Sequence, residues 1–217
     1  MKTLSAFHGK KKEKEFYVNR LIHHRKLEHL TQGVGWETGA ETKACAIGCL
    51  LEEYNHTLGP DQLGLPEWLL RLCDFLFEKL PAKDANKFAI DWVKAIPEGA
   101  NVEPVKHQLA IWRIDLSLKR LAGNKEPYAI ECRNALNLVR AWHISGGVES
   151  AESASAAAWS AARSAWSAAE SAAWSAAEWS AARSSARSAA ESAESSASAY
   201  IKSEAKTLIK LLKSSKP

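Results

Sequence analysis

The spacing of apolar residues over the first 146 positions predicts a series of helices. Apolar side chains recur at intervals of three and four residues between Pro and Gly positions, and no segment sustains the strict alternation of a strand. Pro104 and Pro127 stand where a helix begins, whereas Gly123 and Gly146 stand where one ends. The predicted fold class is therefore all-α. The predicted helices cover residues 12–30, 44–54, 66–80, 84–96, 104–121 and 127–144.

The amino-acid composition changes sharply at the Gly pair 146–147. Residues 148–216 contain neither Gly nor Pro, and 37 of the 50 residues in 151–200 are Ala or Ser. Ala is the best helix former, and Ser is only moderately poor. Because no helix breaker interrupts the run, its composition predicts helix rather than disorder.

The large side chains within this Ala/Ser segment are spaced close to the helical repeat. Trp159, Trp166 and Trp174 fall within about 80° of one another on a helix. Together with Arg163, they are the candidate residues for binding a partner or a ligand. The remaining faces carry only small side chains, which allow another helix to approach closely. We therefore expect this segment to pack tightly against other helices.

The length of the Ala/Ser segment bears on how it folds. A single helix over residues 148–216 would reach roughly 100 Å, whereas a compact chain of this size is on the order of 45 Å across. A single rod would therefore have to protrude and dimerise. We favour the alternative, in which the segment folds back as a helical hairpin or bundle. Its weakest helical points are the Ser pairs at 184–185 and 195–196, because Ser competes for its own backbone.

The last residues of the chain form an amphipathic pattern. An apolar stripe that includes Tyr200, Leu208 and Leu212 faces a side rich in Lys. Because the stripe is short and lacks an interfacial Trp, it indicates docking on a protein core rather than on a membrane. The predicted domains are an N-terminal helical domain, 1–123, and a C-terminal helical region, 124–217, with the Ala/Ser/Trp-rich repeat at 148–200 and the closing helix at 200–213.

Charge and motif content argue against several classes of protein. The net charge is +4, from 29 basic and 25 acidic side chains, so nucleic acid is not an expected partner. The sequence contains no run of about 18 apolar residues, so no membrane span is predicted. The N-terminus lacks the apolar core of a secretory signal. Four cysteines without such a signal are expected to be reduced thiols, in the cytoplasm of a bacterium or of a phage-infected cell. Phosphate-loop, dinucleotide-binding, zincin and hydrolase-elbow motifs are absent.

The sharpest chemical pattern is formed by Cys45, Cys49 and His56. On the predicted helix the two thiols are four residues apart and lie on one side, about a turn apart. Zinc would need further ligands. The alternative is that both cysteines pack in the core as small apolar residues, and we expect no cofactor, with zinc left open. Further ligands could come from His23, His24, His29 or His107.

A second pattern places Asp74 and Glu78 four residues apart on the helix predicted over 66–80. Such a spacing brings two carboxylates to one face, as a general acid and base would require. The alternative is a solvated face on which they pair with Arg71 and Lys79.

Four short motifs stand out in the first half of the chain: G-W at 35–36, C-x-x-G-C at 45–49, L-G-(I/L)-P-x-W-L at 63–69 and F-E-x-L-P at 77–81. They resemble those of uncharacterised bacterial and phage proteins, some of which carry similar SAAWSAARSAA tails. This resemblance covers roughly residues 12–120. Residues 134–213 are similar to the Ala-rich helical part of Imm5-like immunity proteins. Neither resemblance brings a catalytic residue to this chain.

These features lead to three hypotheses about function. The first is a non-enzymatic helical binding protein that occludes another protein; the resemblance implies bacterium–phage conflict, as immunity or counter-defence. The partner is expected to be a different protein, with a homodimer left open. The second is a protein that sequesters a small nucleotide-like ligand with Trp faces and Arg or Lys. The third is a metal-dependent enzyme or sensor at the Cys45 site. A non-enzymatic role is favoured, and the residues do not exclude catalysis.

Replacing Trp166 by Ala tests the predicted packing of the Ala/Ser segment. A buried indole covers on the order of 150–250 Å², so we expect its loss to lower the free energy of unfolding by about 3–5 kcal/mol. Replacing an Ala of the small-residue face by Leu should also destabilise, through overpacking. Chemical denaturation and light scattering measure both effects. Unchanged stability and oligomeric state in both variants would mean that the Trp side chains are exposed.

Overall fold

The computed structural model describes residues 4–39, 42–146 and 183–217, with the side chains of the last range described from residue 195. The hairpin or bundle predicted for the Ala/Ser segment falls mainly outside these residues. None of the helices in the part of the chain described combines the length and the apolar character that crossing a bilayer requires.

The described residues are mostly helical, which confirms the all-α fold class. A two-stranded antiparallel ladder pairs β1 (Trp36–Glu37) with β2 (Lys43–Ala44). The periodicity analysis missed this ladder because two residues are too few to alternate. Single helical turns cover Ala6–Gly9, His56–Leu58 and Gly59–Leu63. The helices are α1 (Lys11–Lys26), α2 (Ala46–Leu51), α3 (Glu67–Lys79), α4 (Ala82–Ala95), α5 (Glu103–Leu121), α6 (Pro127–Ile144) and α7 (Arg183–Lys213).

The chain divides into two compact units, of which the first comprises residues 1–105 and 194–217. Its core lies between α3 and α4, while α1 also packs on α4. Both α3 and α4 carry apolar residues at three- and four-residue intervals, so each presents one apolar face. Phe77 and Trp92 are among the largest fully buried side chains. Burying each such side chain adds about 1.5–3 kcal/mol to the free energy of unfolding, relative to leaving it exposed to solvent.

The closing helix docks on this core, as its pattern predicts. Leu208 and Leu212 of α7 are fully buried, and the Lys202 ammonium lies 3.1 Å from the Asp84 carboxylate on α4. The backbone N–H of Asn101 donates to the Lys216 carbonyl at 3.0 Å, which ties the residues after α7 to the same unit. The C-terminal segment therefore contributes to the core of the first unit.

Neither of the Ser pairs identified as the weakest helical points, 184–185 and 195–196, interrupts the helix. Helix α7 runs without interruption from Arg183 to Lys213 and passes through both pairs. Each Ser costs only a few tenths of a kcal/mol relative to Ala in a helix, and no Gly or Pro adds to that cost. Packing of the Leu208 end adds a tertiary contribution that propensity alone does not include.

The second unit comprises residues 106–193, and its described part contains most of α5 together with α6. The two helices are joined by a turn at Gly123, which has φ 84° and so favours glycine. Arg133 of α6 donates to the carbonyls of Leu121 and Asn124 at 2.8 and 2.7 Å. It thereby supplies hydrogen-bond donors to carbonyl groups at and just after the C-terminal end of α5. The predicted domain boundary at residue 123 stays a prediction.

Two glycines allow β2 and α2 to pack against the loop before β1. The Cys45 N–H donates to the Gly35 carbonyl at 3.1 Å, and a Cβ on Gly48 would lie 2.1 Å from that same oxygen. Only a residue without a side chain fits at position 48. Gly35 is equally restricted, because a Cβ there would lie 2.7 Å from the Tyr54 ring.

Replacing Gly48 by Ala should therefore destabilise the protein, although Ala has the higher helix propensity. We expect a loss of roughly 2–3 kcal/mol, because the backbone must move to relieve the contact. Gly39→Ala is the matched control, since nothing lies within 4 Å of a Cβ at that position. Urea denaturation of both variants measures the difference. Equal stability of the two would contradict the proposed role of the Gly35–Gly48 contact.

Candidate functional site

The two cysteines closest in sequence occupy different positions relative to α2. Cys45 is the N-cap of α2, and its Sγ accepts a hydrogen bond from the Gly48 N–H at 3.4 Å. Cys49 lies inside the helix, and its Sγ donates to the Ala44 carbonyl at 3.6 Å. The prediction that both thiols belong to one helix is wrong, because Cys45 has an extended backbone and precedes the first helical residue.

Burial determines the protonation of these thiols. It raises the pKa of Cys49 to about 12 and raises the pKa of Cys45 still further, where the charge of Asp74 also contributes. Burial raises the pKa of Cys73 well above its ordinary value too. A cysteine acts as a nucleophile or as a metal ligand only as the thiolate. At neutral pH these three thiols are therefore protonated, and Cys45 and Cys49 serve capping and packing.

The buried Asp74 carboxylate on α3 contacts two side chains of the segment that follows α2. Asp74 Oδ2 accepts a hydrogen bond from the Tyr54 hydroxyl at 2.9 Å and lies 3.2 Å from His56 Nε2. The rings of Tyr54 and His56 meet edge to face, with centroids 5.0 Å apart. The hydrogen bond to Asp74, with a smaller contribution from burial, raises the pKa of Tyr54 to about 12. Asp74 thus holds the segment after α2 against α3.

The chemistry open to this cluster is limited by its surroundings. A carboxylate beside an imidazole can orient a histidine for proton transfer, provided that a nucleophile or substrate lies next to the pair. Here Tyr54 keeps its proton to high pH and the Cys45 thiol is protonated. Asp74 Oδ1 is buried and lacks a hydrogen-bond partner within the described ranges. Neither Tyr54 nor Cys45 is therefore in the deprotonated form that a nucleophile requires.

The pairing of Asp74 with His56 is not among the sequence-based predictions. Glu78, the predicted partner of Asp74, instead accepts a hydrogen bond from the Gly33 N–H at 2.7 Å. The sequence feature that could have indicated this pairing is an Asp placed between Cys73 and Phe75 in a helix rich in apolar residues. A carboxylate in that setting needs a buried partner.

A second cluster surrounds His24 at the end of α1. His24 Nδ1 lies 3.1 Å from His29 Nδ1, so the two rings share one hydrogen bond. On its other side, His24 Nε2 lies 3.8 Å from a Glu52 carboxylate oxygen, and Arg20 lies 3.4 Å from the second oxygen. The Trp36 ring meets His24 edge-on, at a centroid distance of 6.0 Å. Burial, followed by the neighbouring His29, lowers the pKa of His24.

The second unit contains a similar histidine pair. His107 Nδ1 on α5 lies 3.0 Å from His143 Nδ1 on α6. The Trp142 ring lies beside both imidazoles, with centroids 4.7 Å from His143 and 5.8 Å from His107. Burial, with the neighbouring His107, lowers the pKa of His143. The pair therefore links α5 to α6.

A cleft of about 430 Å³ lies beside the first turns of α1. His8 reaches it from a left-handed backbone conformation, with φ 51°, and its Nε2 lies 3.0 Å from the Asp61 carbonyl. The Phe16 ring lines the cleft, and the Arg20 guanidinium lies 4.4 Å from the centroid of that ring. The Lys12 side chain brings a cation to the same cleft.

The predicted site residues thus fall into two groups. Trp159, Trp166, Trp174 and Arg163 lie outside the described residues. Cys45, Cys49 and His56 are described, and each makes a separate contact. Within the described ranges, no group of three or more His, Cys, Asp or Glu side chains is arranged to hold a metal ion.

Comparison of the chain with protein-family models, curated proteins and solved structures finds no match. The resemblances noted from the motifs therefore stay predictions.

Thiol reactivity tests the account of the cysteines. Cys132 is half-buried on α6, whereas Cys45, Cys49 and Cys73 are fully buried. We expect iodoacetamide at mildly alkaline pH to modify Cys132 first and the other three about tenfold or more slowly, because a protonated, buried thiol is a poor nucleophile. Mass spectrometry of digests identifies the modified positions, and the denatured chain, in which all four should react alike, is the control. Rapid modification of Cys45 or Cys49 in the folded chain would contradict this.

Proposed function

We propose that this chain is a non-enzymatic helical binding protein that acts by occluding a partner protein. The observation that carries the proposal is an exposed, uncharged face on α6. Ile130, Leu138 and Ile144 are 44, 57 and 59% exposed. Large aliphatic side chains grouped on one helix face are typical of a surface that another protein covers.

The geometry of α6 places these side chains together. At 100° per residue, Ile130, Leu138 and Ile144 lie within about 120° of one another. The exposed residues between them on this face are Asn134, Asn137 and Ala141. All six side chains are uncharged. The cores of protein interfaces are likewise depleted of charge, so this face fits an apolar, uncharged surface on a partner.

Glu131 borders this face as an exposed residue, and the two Arg residues of α6 that border it make contacts within the unit. Arg140 donates to the Asp115 carboxylate on α5 at 2.6 Å, and Arg133 donates to the carbonyls that end α5. These contacts hold both guanidinium groups beside α5. They support a binding surface whose specificity comes from shape and apolar contact.

The state of the reactive side chains supports a non-enzymatic role. The thiols of Cys45 and Cys49 are protonated and bonded to the backbone, and His56 is paired with Asp74. The resemblance noted from the motifs favours bacterium–phage conflict, as immunity or counter-defence, as the setting. In that setting, the chain would act by covering a surface that the partner needs.

The cleft beside α1 favours a second candidate, the sequestration of a small nucleotide-like ligand. Phe16 would stack on a planar ring, and Lys12 would contact an anionic group. Such a ligand would be identified by mass spectrometry of small molecules released when the purified protein is denatured. A stoichiometric nucleotide-like compound would favour this candidate over the first.

A charge-introducing substitution tests the role of the α6 face. Leu138→Asp should weaken partner binding at least tenfold, because it places a carboxylate in an apolar interface. Phe75→Asp is the matched control, since Phe75 is an exposed apolar residue of α3 in the first unit. Both positions are exposed, so both variants should keep the melting temperature of the parent.

The measurement has two stages. Quantitative pull-downs from bacterial and phage-infected lysates compare the parent with both variants, and a protein retained by Phe75→Asp but lost with Leu138→Asp is then purified. Its dissociation constant for each form of the chain is measured by calorimetry. The proposal is wrong if captured proteins bind Leu138→Asp as tightly as the parent, or if no protein distinguishes the two variants.

A further inference from the structure

Two residues with left-handed backbone conformations assemble the cluster around His24. Glu28 has φ 59°, although helices usually place Gly at such a position. This conformation ends α1 and turns the chain back, so that the His29 N–H donates to the His24 carbonyl at 3.0 Å. Glu52 has φ 57° and ends α2 in the same way. Strained residues of this kind concentrate at binding sites, where the surrounding structure maintains them.

The distance between the two facing nitrogens suits a metal ion as well as a hydrogen bond. His24 Nδ1 and His29 Nδ1 are 3.1 Å apart. Imidazole nitrogens bind zinc at about 2.0–2.1 Å, which puts two ligands about 3.3 Å apart at a tetrahedral angle and about 2.9 Å apart at a right angle. The observed separation lies between these values. A metal ion could therefore replace the shared hydrogen once both rings rotate to aim their Nδ1 lone pairs at it.

The opposite edge of the His24 ring faces a carboxylate. A Glu52 oxygen lies 3.8 Å from His24 Nε2, and Arg20 holds the other Glu52 oxygen at 3.4 Å. Metal-binding histidines commonly direct their second nitrogen to a carboxylate, which fixes the tautomer and makes the first nitrogen a better ligand. At 3.8 Å this contact is electrostatic rather than a hydrogen bond, and it favours the tautomer with Nε2–H towards Glu52, which leaves the Nδ1 lone pair of His24 facing His29. This carboxylate is an observation independent of the two facing nitrogens.

We propose that His24 and His29 bind one divalent transition-metal ion through their Nδ1 atoms, with Glu52 orienting His24 and water completing the coordination. Imidazole ligands suit Zn²⁺, Ni²⁺ and Cu²⁺. Two protein ligands and water agree with the absence of a three-residue group in the described ranges. His24 is buried whereas His29 is half-buried, so the waters lie on the His29 side.

The histidine pair of the second unit provides an internal comparison. His107 and His143 have nearly the same Nδ1 separation, 3.0 Å. Neither of these two residues follows a left-handed turn, whereas His29 directly follows Glu28. The proposal therefore assigns the tighter site to His24 and His29. It does not depend on the α6 face, and the two can fail separately.

The experiment is a titration of Zn²⁺, and separately of Ni²⁺, into the full chain after removal of metals with a chelator. Isothermal calorimetry should show one equivalent bound in the micromolar range. His29→Gln should remove this equivalent, and Glu52→Gln should weaken it about ten- to hundredfold. His24→Gln tests the second ligand, and circular dichroism checks that this variant folds. If it does not, the His29 and Glu52 variants decide the outcome.

Matched controls separate this site from the other candidate ligands. His23→Gln changes an exposed neighbour whose ring only contacts His24 edge-on, and Cys49→Ala removes a buried thiol; both should change the affinity less than twofold. His107→Gln should leave the micromolar equivalent in place. The proposal is wrong if no binding occurs below millimolar metal, if His29→Gln retains the full affinity, or if His107→Gln or Cys49→Ala removes the bound equivalent.

Discussion

The contact between the Gly35 carbonyl and the start of α2 is the constraint on which the described sites of the first unit depend. This oxygen accepts the Cys45 N–H, and it leaves room for only a hydrogen atom on Gly48. Cys45 is thereby held as the N-cap of α2. Because α2 has only six residues, its position also determines where Tyr54 and His56, which follow it, are placed. A shift of α2 would separate both residues from Asp74.

The same contact connects the two polar clusters. The Ala44 N–H donates to the His29 carbonyl at 2.9 Å, and the Thr31 N–H donates to the Ala44 carbonyl at 2.8 Å. The chain on one side of Ala44 therefore holds His29 against His24, while the chain on the other side leads through Cys45 to the Asp74 cluster. Each left-handed Glu costs about 1 kcal/mol or more, and that cost is offset only while this packing persists. Disturbing Gly48 would be expected to disturb both clusters together.

The sequence predicts the helices well and the sites poorly, for a physical reason. Helix positions follow from local features, such as Pro127 at the start of α6 and the Gly residues that follow α5 and α6. The pairing of His56 with Asp74 joins residues 18 positions apart and depends on how α2 and α3 pack. No local pattern specifies it. Glu28 and Glu52 are harder still, because Glu is not a residue that predicts a left-handed conformation.

The cysteines show how a spacing argument fails when the helix boundary shifts by two residues. A helix over 44–54 would place Cys45 and Cys49 on one face, whereas the observed helix begins at Ala46. The thiol of Cys45 then does what a Ser or Asp side chain does at other N-caps, because its sulfur accepts a hydrogen bond from the Gly48 N–H. By contrast, His24 lies in the last turn of α1 and His29 follows the point where the chain reverses direction, so that two rings separated by five residues face each other. The metal site proposed there differs from one at the cysteines, because a neutral imidazole can keep its proton on one nitrogen while the other binds a cation, whereas a buried thiol must first lose its only proton.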